Sequence, residues 1–372
     1  MAANLWHPSA MRELHGEKGT IAIAFVHEAL ACLRQREIDE GPILLAAGIS
    51  PELLAWPQAR VSSAHYGALW HGIAQVIDDE FFGLDSHPMR PGSFTLMCHT
   101  LIHAETLERA LRRALRFLNL ILDDWQAELR VVGEQAEVVL REAVTPAGTA
   151  PPPKVAFSYG TYLLIVHGLA CWLVGRRIPL EHAGFRCPEP AYSDEWRVLF
   201  AQDLRFDQAH TGVTFAASFL AMPNVQNERT MKAFLRQAPA NFLVRYKNSE
   251  SVTAQIRRRL REIAPESWPD FPELAKQMHV SPATLRRRLE REGARYRTIL
   301  DDLRRDLAIG YLGDAGLSMP EIACALGFTE LSAFYRAFKK WTGIAPGQYR
   351  AAQRPEGGQL VAGSSGGGQG AG

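Results

Sequence analysis

The last hundred residues contain an internal near-repeat, and this repeat constrains the fold more than any other feature of the chain. Residues 273–289 are matched by residues 321–338, with an offset of 48 residues up to a central turn and 49 residues after it. Each copy has the pattern of a short scaffold helix, a tight turn, and a second helix with apolar residues at positions i and i+4. The repeat therefore predicts two helix-turn-helix units, at about residues 271–292 and 319–342, with one residue inserted where the second recognition helix begins.

The residues around each predicted helix match the chemistry of helix ends. Ser281 and Thr329 stand where an N-cap hydroxyl would accept hydrogen bonds from free backbone amides, and Pro282 stands at a first helical position, where its missing N–H is harmless. Ser318 and Glu321 have the spacing of a capping box. Glycines that can end the recognition helices in a left-handed conformation follow at Gly293 and Gly343.

Both predicted recognition helices carry polar and basic side chains opposite their apolar residues. The candidate DNA-binding residues are Ser281, Ala283, Thr284, Arg286, Arg287 and Arg288 in the first unit, and Leu331, Ser332, Tyr335, Arg336, Lys339 and Lys340 in the second. Arginine can form paired hydrogen bonds with a guanine edge or hold a phosphate, whereas the two lysines suit phosphates. A solvated helix face would explain one such helix, but two in tandem favour DNA binding.

Apolar residues recur at helical spacing between the two units and predict one linker helix over residues 296–312. At about 1.5 Å per residue this helix is roughly 25 Å long, which lets the recognition helices enter adjacent major grooves about 34 Å apart. We expect bent DNA or an asymmetric site of roughly 20 base pairs. The charge agrees with this role, because residues 251–350 hold 17 Lys and Arg against 12 Asp and Glu, whereas residues 1–250 hold 23 against 27.

The first 220 residues have the pattern of an α+β domain. Helical spacing of apolar residues occurs in three segments, residues 21–35, 64–78 and 106–122, the last with Thr106 as its N-cap. Alternating apolar residues on both sides of Gly133 and Glu134 predict a hairpin. Further short strands are expected at residues 183–186, 204–206 and 213–215. Because helices come first and strands follow, we predict an α+β fold rather than alternating βα units.

The remaining segments complete a multidomain organisation. Residues 155–175 carry no charge and are long enough for a membrane span, but their polar residues favour a buried core helix without membrane contact. The proline run at residues 151–153, just before this helix, predicts a stiff connection. The five cysteines lack a CxxC spacing and the start of the chain lacks a secretory signal, which predicts a cytoplasmic protein. The predicted segments are an N-terminal segment 1–20, a sensor domain 21–223, a connecting helix and linker 224–250, a DNA-binding domain 251–350 and a disordered tail 351–372.

The segment from about Val252 to Arg350 closely resembles the DNA-binding domain of the AraC/XylS family of bacterial transcription regulators. The residues that carry this resemblance are Arg305, Ala308, Leu312, Pro320 to Ala323, Leu326 to Phe328, Ser332, Phe334, Arg336 to Lys339, Trp341, Gly343, Pro346, Tyr349 and Arg350. The resemblance implies an all-α domain with two helix-turn-helix units joined by a linker helix. It also implies base contacts from Ala283, Arg286 and Arg287 in the first unit, and from Leu331, Ser332, Tyr335 and Arg336 in the second.

The N-terminal part resembles the arabinose-binding-type domain attached to one branch of the same regulators, over about Ile21 to Pro223. The residues that carry this resemblance include Phe82 to Leu84, Pro91 to Phe94, Thr106 with Leu107, Arg177 to Pro179, and Phe206 with Asp207. In that family such a domain senses a small molecule or mediates dimerisation. The resemblance therefore implies promoter DNA and RNA polymerase as partners, an unidentified effector, a homodimer as one option, and activation more often than repression.

Enzyme chemistry has little support in the sequence. Cys98, His99 and His103 are the nearest approach to a metal site, with two histidines at i and i+4, but surface or hydrogen-bonded histidines are the better interpretation. Catalytic and phosphate-binding motifs are missing, so we predict no enzyme activity, no cofactor and no metal. The alternatives are a DNA-repair or other enzyme fused to the same kind of reader, a purely architectural binder, and a ligand-independent repressor.

Overall fold

The computed structural model describes residues 20–143, 153–236, 252–292, 294–313 and 316–352. Four of the predictions concern residues that lie wholly or mostly outside these ranges: the N-terminal segment, the first two prolines of the 151–153 run, the glycine cap at Gly293, and the disordered tail. The first two residues of the predicted tail, 351 and 352, are described and end the last helix, so the tail prediction is wrong for them. Most of the predicted linker between the two domains also lies outside them.

The N-terminal domain combines helices with two small sheets, which confirms the predicted α+β class. Its helices are α1 (Ile23–Arg34), α2 (Gly41–Ala46), α3 (Ser63–Ile77), α4 (Ser93–Leu101), α5 (Leu107–Ile121), α6 (Ala156–Leu173), α7 (Ser193–Leu199) and α8 (Glu228–Leu235). The three helices predicted from apolar spacing are present as α1, α3 and α5, with ends within two residues of the prediction. Helix α8 occupies the start of the predicted connecting segment.

The larger sheet has five strands, which are β3 (Trp125–Val132), β4 (Gln135–Glu142), β5 (His182–Gly184), β6 (Asp203–Arg205) and β7 (Thr211–Ala216). They lie side by side in the order β3-β4-β7-β5-β6. The predicted hairpin is β3 and β4, paired with Leu129 opposite Val138. Its turn passes through Gly133, whose φ of +59° suits glycine. Only β5 and β6 run parallel, and the other pairs in this sheet are antiparallel.

Helices α5 and α6 form the centre of the sensor core. The side chain of Thr106 accepts a hydrogen bond from the amide of Arg109, as its predicted N-cap role requires, and the apolar stripe of α5 is buried against β3. Helix α6 is apolar on all sides, and 89% of it is buried inside the protein. Its length and composition would also allow it to cross a bilayer, but this burial is the environment of a core helix, as predicted.

The C-terminal domain is helical. Its helices are α9 (Val252–Arg261), α10 (Phe271–Gln277), α11 (Pro282–Arg291), α12 (Tyr296–Gly313), α13 (Met319–Ala325), α14 (Leu331–Thr342) and α15 (Pro346–Ala352). Helices α10 and α11 form the first helix-turn-helix unit, helices α13 and α14 form the second, and α12 is the predicted linker helix. The i and i+4 pairs, Leu285 with Leu289 and Phe334 with Phe338, are buried as the repeat predicts.

The two helix-turn-helix units belong to different hydrophobic cores. The core of the first unit is separate and takes in the start of the linker helix at Ile299 and Leu303. The core of the second unit, which takes in the end of the same helix from Ala308 onward, is continuous with the core of the sensor domain. The second sheet, in which β1 (Thr20–Ala22) pairs with β2 (Arg60–Ser62), lies at this junction and contacts α12.

One predicted helix end is wrong. Thr329 does not cap the second recognition helix, because α14 begins at Leu331 with Glu330 in the N-cap position and no side-chain cap hydrogen bond. The residue inserted in this copy moves the cap one place along the chain. The predicted ends at three other positions are confirmed, with Ser281 capping α11, the Ser318–Glu321 capping box at α13, and left-handed Gly343 after α14.

The tight turns of the two units place equivalent residues in the left-handed region, where φ is +55° at His279 and +77° at Gly327. A methyl group at Gly327 would lie 3.1 Å from backbone atoms of Pro265 and Glu266. We expect Gly327→Ala to lower the free energy of unfolding by about 2 kcal/mol, from the left-handed backbone and this contact together. Urea unfolding of both variants measures the loss. Gly310→Ala, at a helical position with open space around it, should instead be stabilising by about 0.5–1 kcal/mol.

Candidate DNA-binding surface

The first recognition helix presents its predicted contact residues to solvent. The Ser281 hydroxyl accepts from the Thr284 amide at 3.1 Å and lies 2.9 Å from the Thr284 hydroxyl, so the cap also orients the first turn. Ala283, Arg286, Arg287 and Arg288 are exposed, and Thr284 is half-buried. The Arg286 guanidinium lies 5.8 Å from the ring of Phe271 on α10, which holds this arginine against the scaffold helix.

The second recognition helix has the equivalent arrangement on α14. Leu331, Ser332, Arg336, Lys339 and Lys340 are exposed, and Tyr335 is half-buried at the edge of the core. Helix α13 packs against this helix. It begins with the capping box, in which hydrogen bonds from Ser318 lower the pKa of Glu321. The predicted DNA-binding residues therefore form two exposed groups, one on each recognition helix.

An arginine on the linker helix connects the two units, and sequence reasoning missed it. The Arg304 guanidinium lies 5.1 Å from the Trp268 ring, which precedes the first unit, and 5.7 Å from the Phe328 ring in the turn of the second. Its Nε donates to the carbonyl of Leu326 at 3.1 Å, and burial lowers the pKa of Arg304. This clamp limits rotation of one unit against the other.

Trp268 is itself fixed, because its indole N–H donates to the carbonyls of Leu260 and Ile263 at 2.8 and 3.1 Å. Nearby, the hydroxyl of Tyr296 donates to the carbonyl of Pro269 at 2.6 Å, and burial raises the pKa of Tyr296 to about 12. The sequence contains Arg304, Trp268 and Phe328, but no spacing rule relates these three residues to one another, because they belong to three separate elements.

The structure changes the interpretation of the histidines near Cys98. Helix α4 ends at Leu101, so His99 and His103 do not share a helix face as an i, i+4 pair would. Throughout the ranges that the structure describes, no three His, Cys, Asp or Glu side chains come together as metal ligands. The five cysteines are free, and four of them are buried.

Two family models match the chain. The first, the arabinose-binding domain of AraC transcription regulators at their N-terminus, matches residues 38–224, which is half of the chain. The second, a helix-turn-helix domain, matches residues 274–352. The two matches fall on the α+β domain and on the helical domain respectively.

Proteins with similar sequences are transcription regulators. The ornithine utilization regulator of Pseudomonas aeruginosa is 28% identical over 89% of this chain and 96% of that protein. An uncharacterized HTH-type regulator of Mycobacterium tuberculosis is 33% identical over 40% of this chain and 42% of that protein. A crystal structure of the transcriptional regulator CdpR from Pseudomonas aeruginosa is 22% identical over 89% of this chain and 98% of its own, with a TM-score of 0.29.

An α+β domain followed by two tandem helix-turn-helix units with exposed basic helices defines a DNA-binding transcription regulator. Together with the family match over half of the sequence, this makes the chain a member of the AraC family of transcription regulators.

Proposed function

We propose that the protein is an effector-responsive transcription activator whose two recognition helices enter adjacent major grooves of one promoter. The observation that carries the proposal is the pair of exposed basic helices, α11 and α14, which the linker helix and the Arg304 clamp join in a single domain. Promoter DNA is the main partner, and RNA polymerase is the partner through which activation would occur. The α+β domain binds the effector or joins two subunits, the protein acts in the cytoplasm, and it has no enzyme activity of its own.

The proposal is tested by selecting duplexes from a randomised library with the full chain at low salt. We expect enrichment of an asymmetric or bent site of roughly 20 base pairs, with two contacted segments about one helical turn apart. A footprint on the selected duplex gives the length directly. Enrichment of no sequence would overturn the proposal, and a footprint of half that length would restrict DNA reading to one helix.

Two arginines test which side chains read bases. We expect Arg287→Ala and Arg336→Ala each to cost about 1–3 kcal/mol on the selected duplex and little on random DNA, because a paired hydrogen bond to a guanine edge is specific to sequence. Titrations monitored by fluorescence anisotropy on both duplexes give the difference. Arg116→Ala, an exposed arginine on sensor helix α5, should change neither affinity. An equal loss on random DNA would reassign the two arginines to phosphates.

A further inference from the structure

Helix α7 separates an internal cavity of the sensor from the contact between the two domains. Trp196 and Leu199 on this helix line the cavity. Glu195, the residue next to Trp196, forms an ion pair with Arg60 of strand β2. A movement of this short helix would therefore change the cavity and the ion pair together.

The cavity is lined by uncharged side chains, most of them aromatic. Phe25, Tyr66 and Trp70 come from α1 and α3, and Gly160 comes from α6. The remaining space is about 10 Å³, which holds one water molecule at most. An apolar lining selects uncharged apolar molecules, and any such molecule must displace one wall to enter. Helix α7 has seven residues, whereas the other lining helices have 12, 15 and 18, so the wall formed by α7 is the easiest to move.

The Trp196 ring transmits such a displacement to the helix. A methyl group on Gly160 would lie 2.7 Å from Cζ2 of this ring, so the indole already touches the backbone of α6. The ring is also stacked on Phe185, with the ring centroids 4.2 Å apart. Because the indole is tightly packed against both neighbours, a group pressed against it pushes α7 rather than turning the side chain alone.

The ion pair next to Trp196 belongs to a hydrogen-bond network that reaches the DNA-binding domain. Arg60 donates to both Glu195 carboxylate oxygens, at 2.5 and 3.0 Å, and to the hydroxyl and carbonyl oxygens of Thr20, at 2.8 and 2.9 Å. The Thr20 hydroxyl in turn donates to Asp306 of the linker helix at 2.7 Å. Tyr349 of α15, fully buried, donates its hydroxyl proton to the carbonyl of Arg60. Arg60 therefore contacts the sensor with its side chain and helix α15 of the DNA-binding domain with its backbone.

The polar contacts continue along the linker helix to the first unit. Arg305 lies 3.3 Å from Asp306 and 3.2 Å from Asp302. Asp302 also pairs with Arg257 of α9 at 2.6 Å, and α9 packs against the first recognition helix. A continuous series of charged and polar side chains thus joins α7 to the linker helix and to α9, which packs against the first recognition helix.

We propose that the aromatic cavity is the effector site and that its ligand is a small uncharged apolar molecule. Ligand entry displaces α7 and weakens the Glu195–Arg60 ion pair, which is connected through Thr20 to Asp306 of the linker helix. This regulation rests on the DNA reading proposed above. Weakening this ion pair makes the positions of the two recognition helices less suitable for adjacent grooves, and binding to the selected duplex becomes weaker.

Gly160→Ala imitates an occupied cavity without a ligand, because its methyl group must push Trp196. We expect it to weaken binding to the selected duplex by roughly 3- to 30-fold. Arg60→Gln removes the ion pair with Glu195 and should weaken binding by a similar factor. In the double variant, Gly160→Ala should add no further loss, because the ion pair through which it acts is already absent. Gly72→Ala, another sensor-helix glycine whose added methyl would meet only Ile43 at 3.2 Å, is the control and should leave affinity unchanged.

Indole tests whether the site accepts an uncharged apolar molecule. Trp196→Ala removes the ring that packs α7 against α6 and Phe185, so we expect it to weaken DNA binding. Indole that fills the space of the missing ring restores this packing and does not displace α7, so we expect 1 mM indole to restore the wild-type affinity of this variant. Indole-3-acetate, which carries a charge, should not restore it. Circular dichroism shows which variants fold, and either variant alone suffices for the test. The inference is overturned if Gly160→Ala binds like wild type, if its loss persists at full size in the Arg60→Gln background, or if indole restores nothing. Failure of the wild type to select any duplex would instead remove the proposed function.

Discussion

Raising the salt concentration from about 50 to about 200 mM should weaken binding of the full chain to its selected duplex by roughly 10³- to 10⁵-fold, the range for six to ten phosphate contacts. The exposed basic residues of the two recognition helices that are not proposed to read bases, together with the two arginines that follow the first helix, supply the lower end of this number. They are Arg288, Arg291, Arg295, Arg297, Lys339 and Lys340. None has a carboxylate partner in the part of the chain that the structure describes, so each is available to a phosphate. Binding to DNA replaces condensed cations, and their release is less favourable in concentrated salt.

The slope of log K against log salt is the quantity to measure, by anisotropy titration at five or more salt concentrations. Lys339→Ala should reduce the magnitude of the slope by about one, the value for one phosphate contact. Arg116→Ala on the sensor should leave it unchanged. A slope near zero for the wild type would contradict a surface that binds phosphates.

Phe338→Ala should lower the free energy of unfolding by about 3–5 kcal/mol, the usual cost of removing a buried ring. Phe338 is fully buried, with ring centroids 5.8 Å from Phe334 and 5.3 Å from Tyr349. Tyr349 is the residue that bonds to strand β2 of the sensor. The cavity left by the ring therefore weakens the second recognition helix and the contact between the domains, and urea unfolding followed by tryptophan fluorescence and by circular dichroism should shift together.

Leu331→Ala provides the matched comparison for stability. Leu331 lies on the same helix but is 39% exposed, and its truncation should change the free energy of unfolding by no more than about 0.5 kcal/mol. If Phe338→Ala cost as little as Leu331→Ala, the second unit would not be packed as described. If only one of the two spectroscopic signals shifted, the second unit and the sensor would unfold independently.

Sequence reasoning was most successful where structure is determined within a few residues. Helices α11 and α14 were predicted from apolar pairs at i and i+4, and α11 also from its N-cap Ser281 and from Pro282 at its first position, all of which act locally. The error at Thr329 has a local cause as well. A single inserted residue moved the cap to Glu330, whereas the prediction placed the cap at Thr329 with the offset of 48 that applies before the insertion.

Contacts between distant residues could not be predicted in this way. Thr20 and Asp306 are 286 positions apart, and Arg60 and Glu195 are 135 apart. The strands β1 and β2 that position them have three residues each, too short for a periodic pattern. The Arg304 clamp has the same origin, because tertiary packing alone brings its two aromatic partners together. The predicted DNA contacts on α11 and α14 remain predictions, which the arginine variants test.

The hydrophobic cores divide the molecule at a different place from the one that its sequence suggests. The boundary falls inside the linker helix, between Leu303 in one core and Ala308 in the other. A hybrid regulator made by joining the α+β domain of one relative to the complete DNA-binding domain of another would therefore carry mismatched packing surfaces. An exchange limited to the first helix-turn-helix unit, with its own core, would keep the native junction, so new operator specificity should evolve, and be engineered, most readily in that half.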